Sequence, residues 1–369
     1  MKKLTLFLIP LLLISILGAA DFDLSGEFRT RAAMYNDTAE DAGGHIDSRF
    51  RLGLDSTIID GLKIHAMFEV GNILWGDSAS GGGLDTGGIN VKTDELYIDY
   101  LIKALDANVR VGQQYWGDHR GLVLDDFFSG VVLSKETSAG MKAELGLLKV
   151  MDTKMNKDGF YDVLMANLEG KLFVPFGLAV MYGNQVDTTD VSTGNISILP
   201  YITLSAGPAT LDIAPFFDYQ ILSEVDDEMG FGVSAKADVD LGIFAVGGDV
   251  LYAGENGITT LSPWYQNGLY LYGIGAHHDG LNLYWDTPYS FNSDNFISAV
   301  ANIGVPISNK AKVFAAAGSV SELGTEINGG IEFQVIPDTM SLTGYGAYGM
   351  HDETDVNNYA FGTTLQINF

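Results

Sequence analysis

Apolar and polar side chains alternate along most of this chain, and this period of two restricts its fold more than any other feature. In the first alternating run, Phe22, Leu24 and Phe28 lie at even-numbered positions, and Glu27 and Arg29 lie at odd-numbered positions. We call this even or odd placement along a strand the parity of a residue. Such alternation predicts β-strands that have one apolar face and one polar face. Because similar runs recur as far as the last residue, the sequence predicts an all-β protein.

The lengths of these runs and the turns between them narrow the fold class. Many runs have roughly ten residues or more, which is the length that a tilted strand needs to cross a lipid bilayer. Short turn signals lie at residues 60–61, 105–106, 138–140, 174–177, 206–208, 241–242, 306–309 and 337–338. Long polar loops alternate with them at residues 37–44, 77–88, 185–195 and 254–266. This alternation is typical of a closed antiparallel transmembrane β-barrel.

The strand count follows from the short turns. Eight short turns imply nine hairpins and hence about 18 strands, within a range of 16–20. Residues 254–294 are ambiguous because strand-like runs occur at residues 269–272 and 281–284. We interpret this stretch as one long, partly folded outer loop; if it were a hairpin, the count would be twenty. The final run ends on Phe369, and closure onto the first strand would leave no unpaired edge in lipid.

The N-terminus predicts export from the cytoplasm. Two lysines precede an apolar stretch at residues 4–17 and a small-residue cleavage site at residues 18–20. This is the pattern of a secretory signal peptide, and the stretch is shorter than the roughly 20 residues of a spanning helix. We therefore expect residues 1–20 to be removed. Residues 21–369 would form a single barrel domain in the cell outer membrane, with long extracellular loops and both termini in the periplasm.

The composition limits the partners of this chain. Its net charge is −27, which disfavours nucleic acid because phosphate binding needs clustered lysine and arginine. It has no cysteine, so disulfides, thiolate metal sites and a lipid-modified cysteine are all excluded. The acidic residues either keep the loops solvated or bind Ca²⁺ or Mg²⁺ at the membrane surface. The expected partners are outer-membrane lipid, lipopolysaccharide and small hydrophilic solutes or ions.

One segment has a recognisable arrangement. Strands at residues 95–100 and 109–114 are followed by a Gly-Asp-x-Arg loop at residues 117–120 and by a returning strand. This arrangement resembles the alginate-export family of outer-membrane porins. Gln113 stands where that family has arginine, and Phe128-Ser129-Gly130 stands where it has Phe-Asp-Gly. The resemblance implies an eighteen-stranded barrel with a constricted polar lumen.

Charged residues on the inward faces are the candidates for a functional site. Arg29 and Arg31 share a face of the first strand, and Arg49 and Arg51 share a face of the second. We call these four residues the arginine ladder and expect them to line one wall of the lumen and attract anions. The further candidates at a constriction are Glu27, Glu69, Glu95, Asp99, Arg110, Arg120, Asp125 and Asp126. Opposed charges across a narrow lumen would sort solutes by charge, whereas the alternative is that they only hydrate it.

The loop at residues 116–126 carries several charges and lies early in the barrel. We expect it either to fold inward and narrow the lumen or to remain an ordinary surface loop. Metal sites are weakly indicated by His277-His278-Asp279 and by the acidic runs at residues 226–228 and 352–355. Neither acidic run has the spacing of an EF-hand loop. We expect no metal site and no cofactor, apart from Ca²⁺ or Mg²⁺ if the acidic loops bind them.

Enzyme motifs are missing from the sequence. It lacks Gly-x-Ser-x-Gly, His-Glu-x-x-His and the phosphate-binding P-loop pattern. The function that the sequence favours is therefore a non-enzymatic, water-filled channel for passive diffusion of small hydrophilic solutes or ions. The alternatives are a dedicated channel for polysaccharide or oligosaccharide export or uptake, and a closed barrel that acts as an enzyme or adhesin.

Overall fold

Antiparallel β-strands make up most of this computed structural model, which describes residues 21–36, 42–84, 91–152, 160–186, 192–221, 227–273, 289, 295–352 and 357–369. In these ranges no helix is long and apolar enough to cross a membrane. The strands are β1 (Asp21–Asn36), β2 (Ala42–Ile59), β3 (Leu62–Leu74), β4 (Val91–Ile102), β5 (Ala107–Gly117), β6 (Asp125–Glu136), β7 (Lys142–Asp152), β8 (Phe160–Lys171), β9 (Pro175–Val186), β10 (Ser192–Ala206), β11 (Ala209–Ile221), β12 (Glu228–Asp240), β13 (Ala245–Ala253), β14 (Phe296–Ser308), β15 (Ala311–Val320), β16 (Gly324–Ile336), β17 (Met340–His351) and β18 (Asn357–Asn368).

The strands close into one barrel. Each strand pairs with its neighbours in the chain, and β1 also pairs with β18 along Glu27–Asn368 to Tyr35–Ala360. The predicted fold class and the count of about eighteen strands are therefore confirmed. The ambiguous stretch is a connection between β13 and β14, and residues 269–272 do not form a strand. The run at residues 281–284 lies outside the described residues, as does the predicted signal peptide.

The two faces of the wall differ as the alternation predicts. Leu24, Met34 and Phe361 point outward and are at least 60% exposed. Arg29 and Ser197 point inward and are buried. An apolar exterior of this extent is stable only when lipid covers it, and a closed barrel leaves no strand edge unpaired in the lipid. The fold is therefore that of a transmembrane barrel with a polar interior.

The C-terminal residue helps to close the barrel. The Gly26 amide donates to the Phe369 carbonyl at 2.8 Å, and the Phe369 amide donates back at 3.1 Å. The Phe369 ring lies over Gly26, where any Cβ would collide with it, and stacks on the Phe50 ring with 6.0 Å between centroids. The seam between the first and last strands thus combines backbone pairing with aromatic packing.

One hairpin leaves the wall and enters the lumen. Pairing of β5 with β4 ends at Gln113–Leu96, and pairing of β6 with β7 ends at Ser129–Lys149. Beyond these points, residues 114–128 pair with each other but not with either neighbouring strand. We call residues 114–128 the inserted hairpin. The inward fold proposed for the loop at residues 116–126 is therefore observed, and the surface-loop alternative is wrong.

Paired glycines mark the point where the inserted hairpin bends. Gly112 and Gly130 face each other across β5 and β6. Gly112 has a φ of +133°, and a Cβ there would overlap the Leu96 carbonyl oxygen. A Cβ at Gly130 would overlap the Leu147 carbonyl oxygen. Because both neighbouring backbones approach so closely, only glycine fits at the bend.

Replacement of Gly112 by alanine tests this bend. Alanine is strained at this φ and its Cβ overlaps Leu96, so we expect Gly112→Ala to lower the free energy of unfolding by roughly 1–3 kcal/mol. Urea titration of the barrel folded in lipid vesicles measures the change. Gly344→Ala is the matched control, because a Cβ on that strand glycine has open space around it. Equal stabilities of the two variants would contradict the requirement for glycine at position 112.

Candidate functional site

The tip of the inserted hairpin is organised by one carboxylate. Asp118 is buried and accepts hydrogen bonds from the backbone amides of Arg120, Leu122, Val123 and Leu124, at 2.8–3.2 Å. These bonds satisfy donors that would otherwise be unpaired in the turn. The side chains of residues 122–124 are also buried. The tip is therefore a compact unit rather than a loose loop.

A second segment packs on this tip. Residues 254–273, which we call the lumenal cover, follow β13. The Leu261 amide donates to the Val123 carbonyl at 2.9 Å, and the Trp264 amide donates to the Gly121 carbonyl at 2.9 Å. The Asp125 amide donates to the Ser262 carbonyl at 2.9 Å. The inserted hairpin and the lumenal cover are thus joined through their backbones.

Two carboxylates of the barrel wall hold the lumenal cover. Glu326 of β16 is fully buried and accepts the backbone amides of residues 270–272 at 2.8–2.9 Å. Asp218 of β11 accepts both the amide and the hydroxyl of Thr259, at 3.0 Å and 2.5 Å. Tyr270 also stacks on Tyr345 of β17, with 4.2 Å between centroids. The cover therefore lines the inner wall from β11 towards β17.

A buried ion pair anchors the inserted hairpin to the far wall. The Arg120 guanidinium donates to the Asp249 carboxylate of β13, and both side chains are less than 10% exposed. The Tyr265 hydroxyl of the cover donates to the same carboxylate, and burial raises the pKa of Tyr265, which keeps its proton in place. Removing one member of a buried pair leaves an uncompensated charge, so the three groups hold hairpin, cover and wall together.

A second anchor lies beside this pair. The His119 ring stacks on Tyr201 of β10, with 3.6 Å between centroids and 2° between planes. Its Nε2 atom lies 2.6 Å from Oδ2 of Asp212 on β11. The hairpin starts from β5 and β6, so contacts with β10, β11 and β13 show that it crosses the lumen. It narrows the interior to the space between itself, the cover and the opposite wall.

The four residues of the arginine ladder lie on the paired strands β1 and β2. Arg29 and Arg49 are direct partners in the register of the two strands. Like charges in direct opposition are unfavourable, and carboxylates offset this repulsion. Arg31 binds Asp47 at 2.8 Å, and Arg49 binds Glu27 at 2.6 Å. Arg29 donates to the Asn72 amide oxygen at 3.3 Å.

A shared carboxylate extends the ladder to the next two strands. Glu69 of β3 is fully buried and contacts Arg51 at 2.8 Å and Lys92 at 2.7 Å. Asp94 lies 3.1 Å from Arg51. A bulge between Met67 and Phe68 leaves Asp94 as the extra residue on β4, which turns its side chain inward. The region thus holds five cationic and five acidic side chains, counting Lys92 and Glu95 with the residues above.

The remaining candidates lie in two places. Arg110 and Asp99 are paired at 3.0 Å near the short-turn end of β4 and β5, and Glu95 lies 3.9 Å from Nε2 of His65.

Asp125 and Asp126 belong to the inserted hairpin. Asp125 accepts from the Tyr115 hydroxyl, and Asp126 accepts from the Ser262 hydroxyl at 2.5 Å. The candidates therefore divide between the ladder wall, the short-turn end and the inserted hairpin.

Inward charges also encircle the short-turn end of the barrel. We consider the five residues of each strand that lie nearest to its short turn. We define the exit ring as the charged side chains among them that have the inward parity. Its basic members are Lys63, Arg110, Lys142, Lys171, Lys236 and Lys312. Its acidic members among the described side chains are Asp23, Asp55, Asp99, Glu136, Glu144, Glu169, Asp212, Asp238, Asp240, Asp249 and Glu332.

The sequence did not identify the wall residues that hold the inserted hairpin and the lumenal cover. Asp218, Asp249 and Glu326 each have the inward parity of their strands, so the alternation marks them as lumenal. Nothing in the sequence links them to segments as much as 129 residues away. Among the described residues, no group of three or more histidine and acidic side chains could hold a metal ion. His277, His278 and much of the two acidic runs lie outside those residues.

Comparison with known proteins supports the fold. No protein-family model matches the chain, and no curated protein is similar to it in sequence, so the resemblance to the alginate-export family is not confirmed. Solved structures of Pseudomonas aeruginosa outer-membrane barrels are similar. OpdL has a TM-score of 0.64 at 12% identity, over 95% of this chain and 98% of its own.

Two further structures from the same organism contain small molecules. OpdK with vanillate has a TM-score of 0.61 at 12% identity, over 94% of this chain and 98% of its own. OccK2 (OpdF) in complex with glucuronate has a TM-score of 0.61 at 11% identity, over 95% of this chain and 98% of its own. At these identities the likeness establishes a shared barrel fold and nothing finer.

A single cysteine in this cysteine-free chain can report on the anchoring of the hairpin. Val123 is 1% exposed, so Val123→Cys should react slowly with a water-soluble maleimide in the folded barrel. Adding Arg120→Ala leaves Asp249 buried without its cation, at a cost of roughly 3–5 kcal/mol. We expect labelling to become at least about tenfold faster, because each 1.4 kcal/mol is a factor of ten in local opening.

The control for this experiment is an ion pair outside the lumen. Lys103 binds Asp60 at 2.6 Å between two short turns and holds the pKa of that carboxyl below its usual value. Both side chains are mostly exposed, so Lys103→Ala should leave the labelling of Val123→Cys unchanged. Equally slow labelling with Arg120→Ala would show that the buried pair does not hold the hairpin.

Proposed function

We propose that this protein is an outer-membrane channel through which small hydrophilic solutes or ions diffuse passively. The observation that carries the proposal is the contrast between an apolar exterior and a charged interior that keeps contact with water. On the inner face, Asp55 is 50% exposed, Lys142 is 38% exposed and Arg110 is 36% exposed. Ionised groups in these numbers need hydration, so a water-filled lumen explains their placement.

The proposed location follows from the same features. The barrel would lie in the outer membrane, in contact with lipid and lipopolysaccharide, with its short turns in the periplasm and its long loops outside. The predicted signal peptide would direct its export. Similar barrels from Pseudomonas aeruginosa support this location, since one is described as an outer-membrane protein. The channel would need no cofactor.

The inserted hairpin supports a channel with a constriction rather than an enzyme. It narrows the lumen, and the similar solved structures include an outer-membrane protein and two structures that hold small molecules. Vanillate and glucuronate in two of those structures are small and hydrophilic, which agrees with the proposed solute class. The arginine ladder and the acidic groups Asp125 and Asp126 of the hairpin would face the narrowed space and act on the solute.

Vesicle swelling tests the proposed function directly. Purified barrel in lipid vesicles should let small sugars and amino acids enter and cause swelling, whereas large dextrans should stay excluded. Heat-dependent migration on a gel confirms that the barrel is folded before each measurement. Folded protein that admits none of these solutes would contradict the proposal and favour a closed barrel that acts as an enzyme or adhesin.

The arginine ladder gives a second prediction. Arg29→Ala combined with Arg49→Ala removes two positive charges from the lumen and leaves Glu27 without a cation partner. We expect the reversal potential in a KCl gradient to move towards cation preference while the barrel still assembles. The control combines Lys103→Ala with Lys135→Ala, two exposed cations near the short turns. An unchanged potential in the folded ladder variant would show that the ladder only hydrates the lumen.

A further inference from the structure

The arginine ladder supplies less positive potential than its sequence suggests. Its guanidiniums lie within 2.6–3.1 Å of the carboxylates of Asp47, Glu27, Glu69 and Asp94, apart from Arg29, which contacts Asn72. Five cationic and five acidic side chains occupy this region. A charge paired at such distances has a field that falls off steeply, so a solute more than a few ångströms away meets a nearly neutral wall.

The exit ring, in contrast, is not neutral. Its eleven acidic side chains outnumber its six lysine and arginine side chains, even though Asp249 is paired with Arg120 of the inserted hairpin. The acidic members are distributed over strands from β1 to β16. Because they surround the lumen rather than one wall, a solute that crosses the barrel passes within a Debye length, about 10 Å, of several of them. Low-dielectric walls concentrate this field in the lumen.

Three acidic members of the ring have weak cationic partners or none. Asp23 lies directly opposite Asp55 in the register of β1 and β2, and no ion pair compensates it within the described ranges. Asp238 lies 3.7 Å from Lys236, at the limit of an ion pair. Glu332 lies opposite Lys312 in the register of β15 and β16, but no ion pair joins these two described residues, and its carboxylate accepts a hydrogen bond from the neutral amide of Gln334 at 2.8 Å. These groups add negative potential that local pairing does not cancel.

We propose that the channel prefers cationic solutes, and that the exit ring sets this preference through Asp23, Asp238 and Glu332. The inference rests on the proposed channel function and specifies the charge class of its solutes. It also assigns different roles to the arginine ladder and to the exit ring. The paired ladder tunes the constriction, whereas the weakly compensated carboxylates of the ring determine which ions accumulate at the periplasmic mouth.

Reversal potentials of the purified barrel in planar bilayers under a KCl gradient test this inference. We expect the unmodified channel to admit K⁺ in preference to Cl⁻. The triple variant Asp23→Asn, Asp238→Asn and Glu332→Gln removes three lumenal charges with little change of shape. It should lower the permeability ratio of K⁺ to Cl⁻ by about twofold or more, because the local accumulation of cations falls with the surface potential.

A second triple variant removes the same number of charges outside the lumen. Asp60→Asn, Asp106→Asn and Asp338→Asn lie in short turns, and asparagine tolerates the positive φ of residues 106 and 338. This variant should change the permeability ratio much less. Anion preference of the unmodified channel, or equal effects of the two triple variants, would overturn the inference. A folded barrel that conducts no ions would instead contradict the channel function itself.

Discussion

The pairing of every strand with two neighbours is the constraint on which the rest of this structure depends. Lipid offers no hydrogen-bond partners to the backbone, so a sheet in a membrane must close on itself. Closure by β1 and β18 fixes the parity of each strand, and parity in turn fixes which side chains meet lipid and which meet the lumen. Polar residues then collect inside, where water and other charges can satisfy them.

The inserted hairpin is a large departure from this regular wall, and buried charge holds it to the far wall in place of pairing with β4 and β7. Residues 114–128 leave the sheet where paired glycines allow the backbones to approach closely. On the far side, Asp249 and Asp212 receive Arg120 and His119, and Glu326 receives the backbone of the cover. The wall is thus polar at these positions because it holds an internal structure, not only because it borders water.

Much of the fold could be predicted from sequence because it depends on local patterns. Alternation gave the strands and their faces, and the short turns gave the count. The placement of Arg29 beside Arg49 followed from one loop joining two strands. The carboxylates that neutralise the positive charge of the arginine ladder could not be predicted in the same way. A bulge brings Asp94 to the inner face beside Glu95, although simple parity would place these two residues on opposite faces.

The residues that anchor the inserted hairpin could not be predicted from sequence for a related reason. Arg120 and Asp249 are far apart in the chain and meet only after the barrel has closed and the hairpin has bent at Gly112. No local period encodes such a contact. The sequence therefore indicated a charged lumen and a loop that narrows it, but not the carboxylates that hold the loop in place.

The proposed channel function requires a continuous water-filled path through the narrowed lumen. Single-channel recording of the purified, folded barrel in a planar lipid bilayer tests it most directly. We expect discrete conductance steps in KCl, which non-electrolyte polymers small enough to enter the lumen should reduce. Folded protein that inserts into the bilayer and produces no steps above background would contradict it.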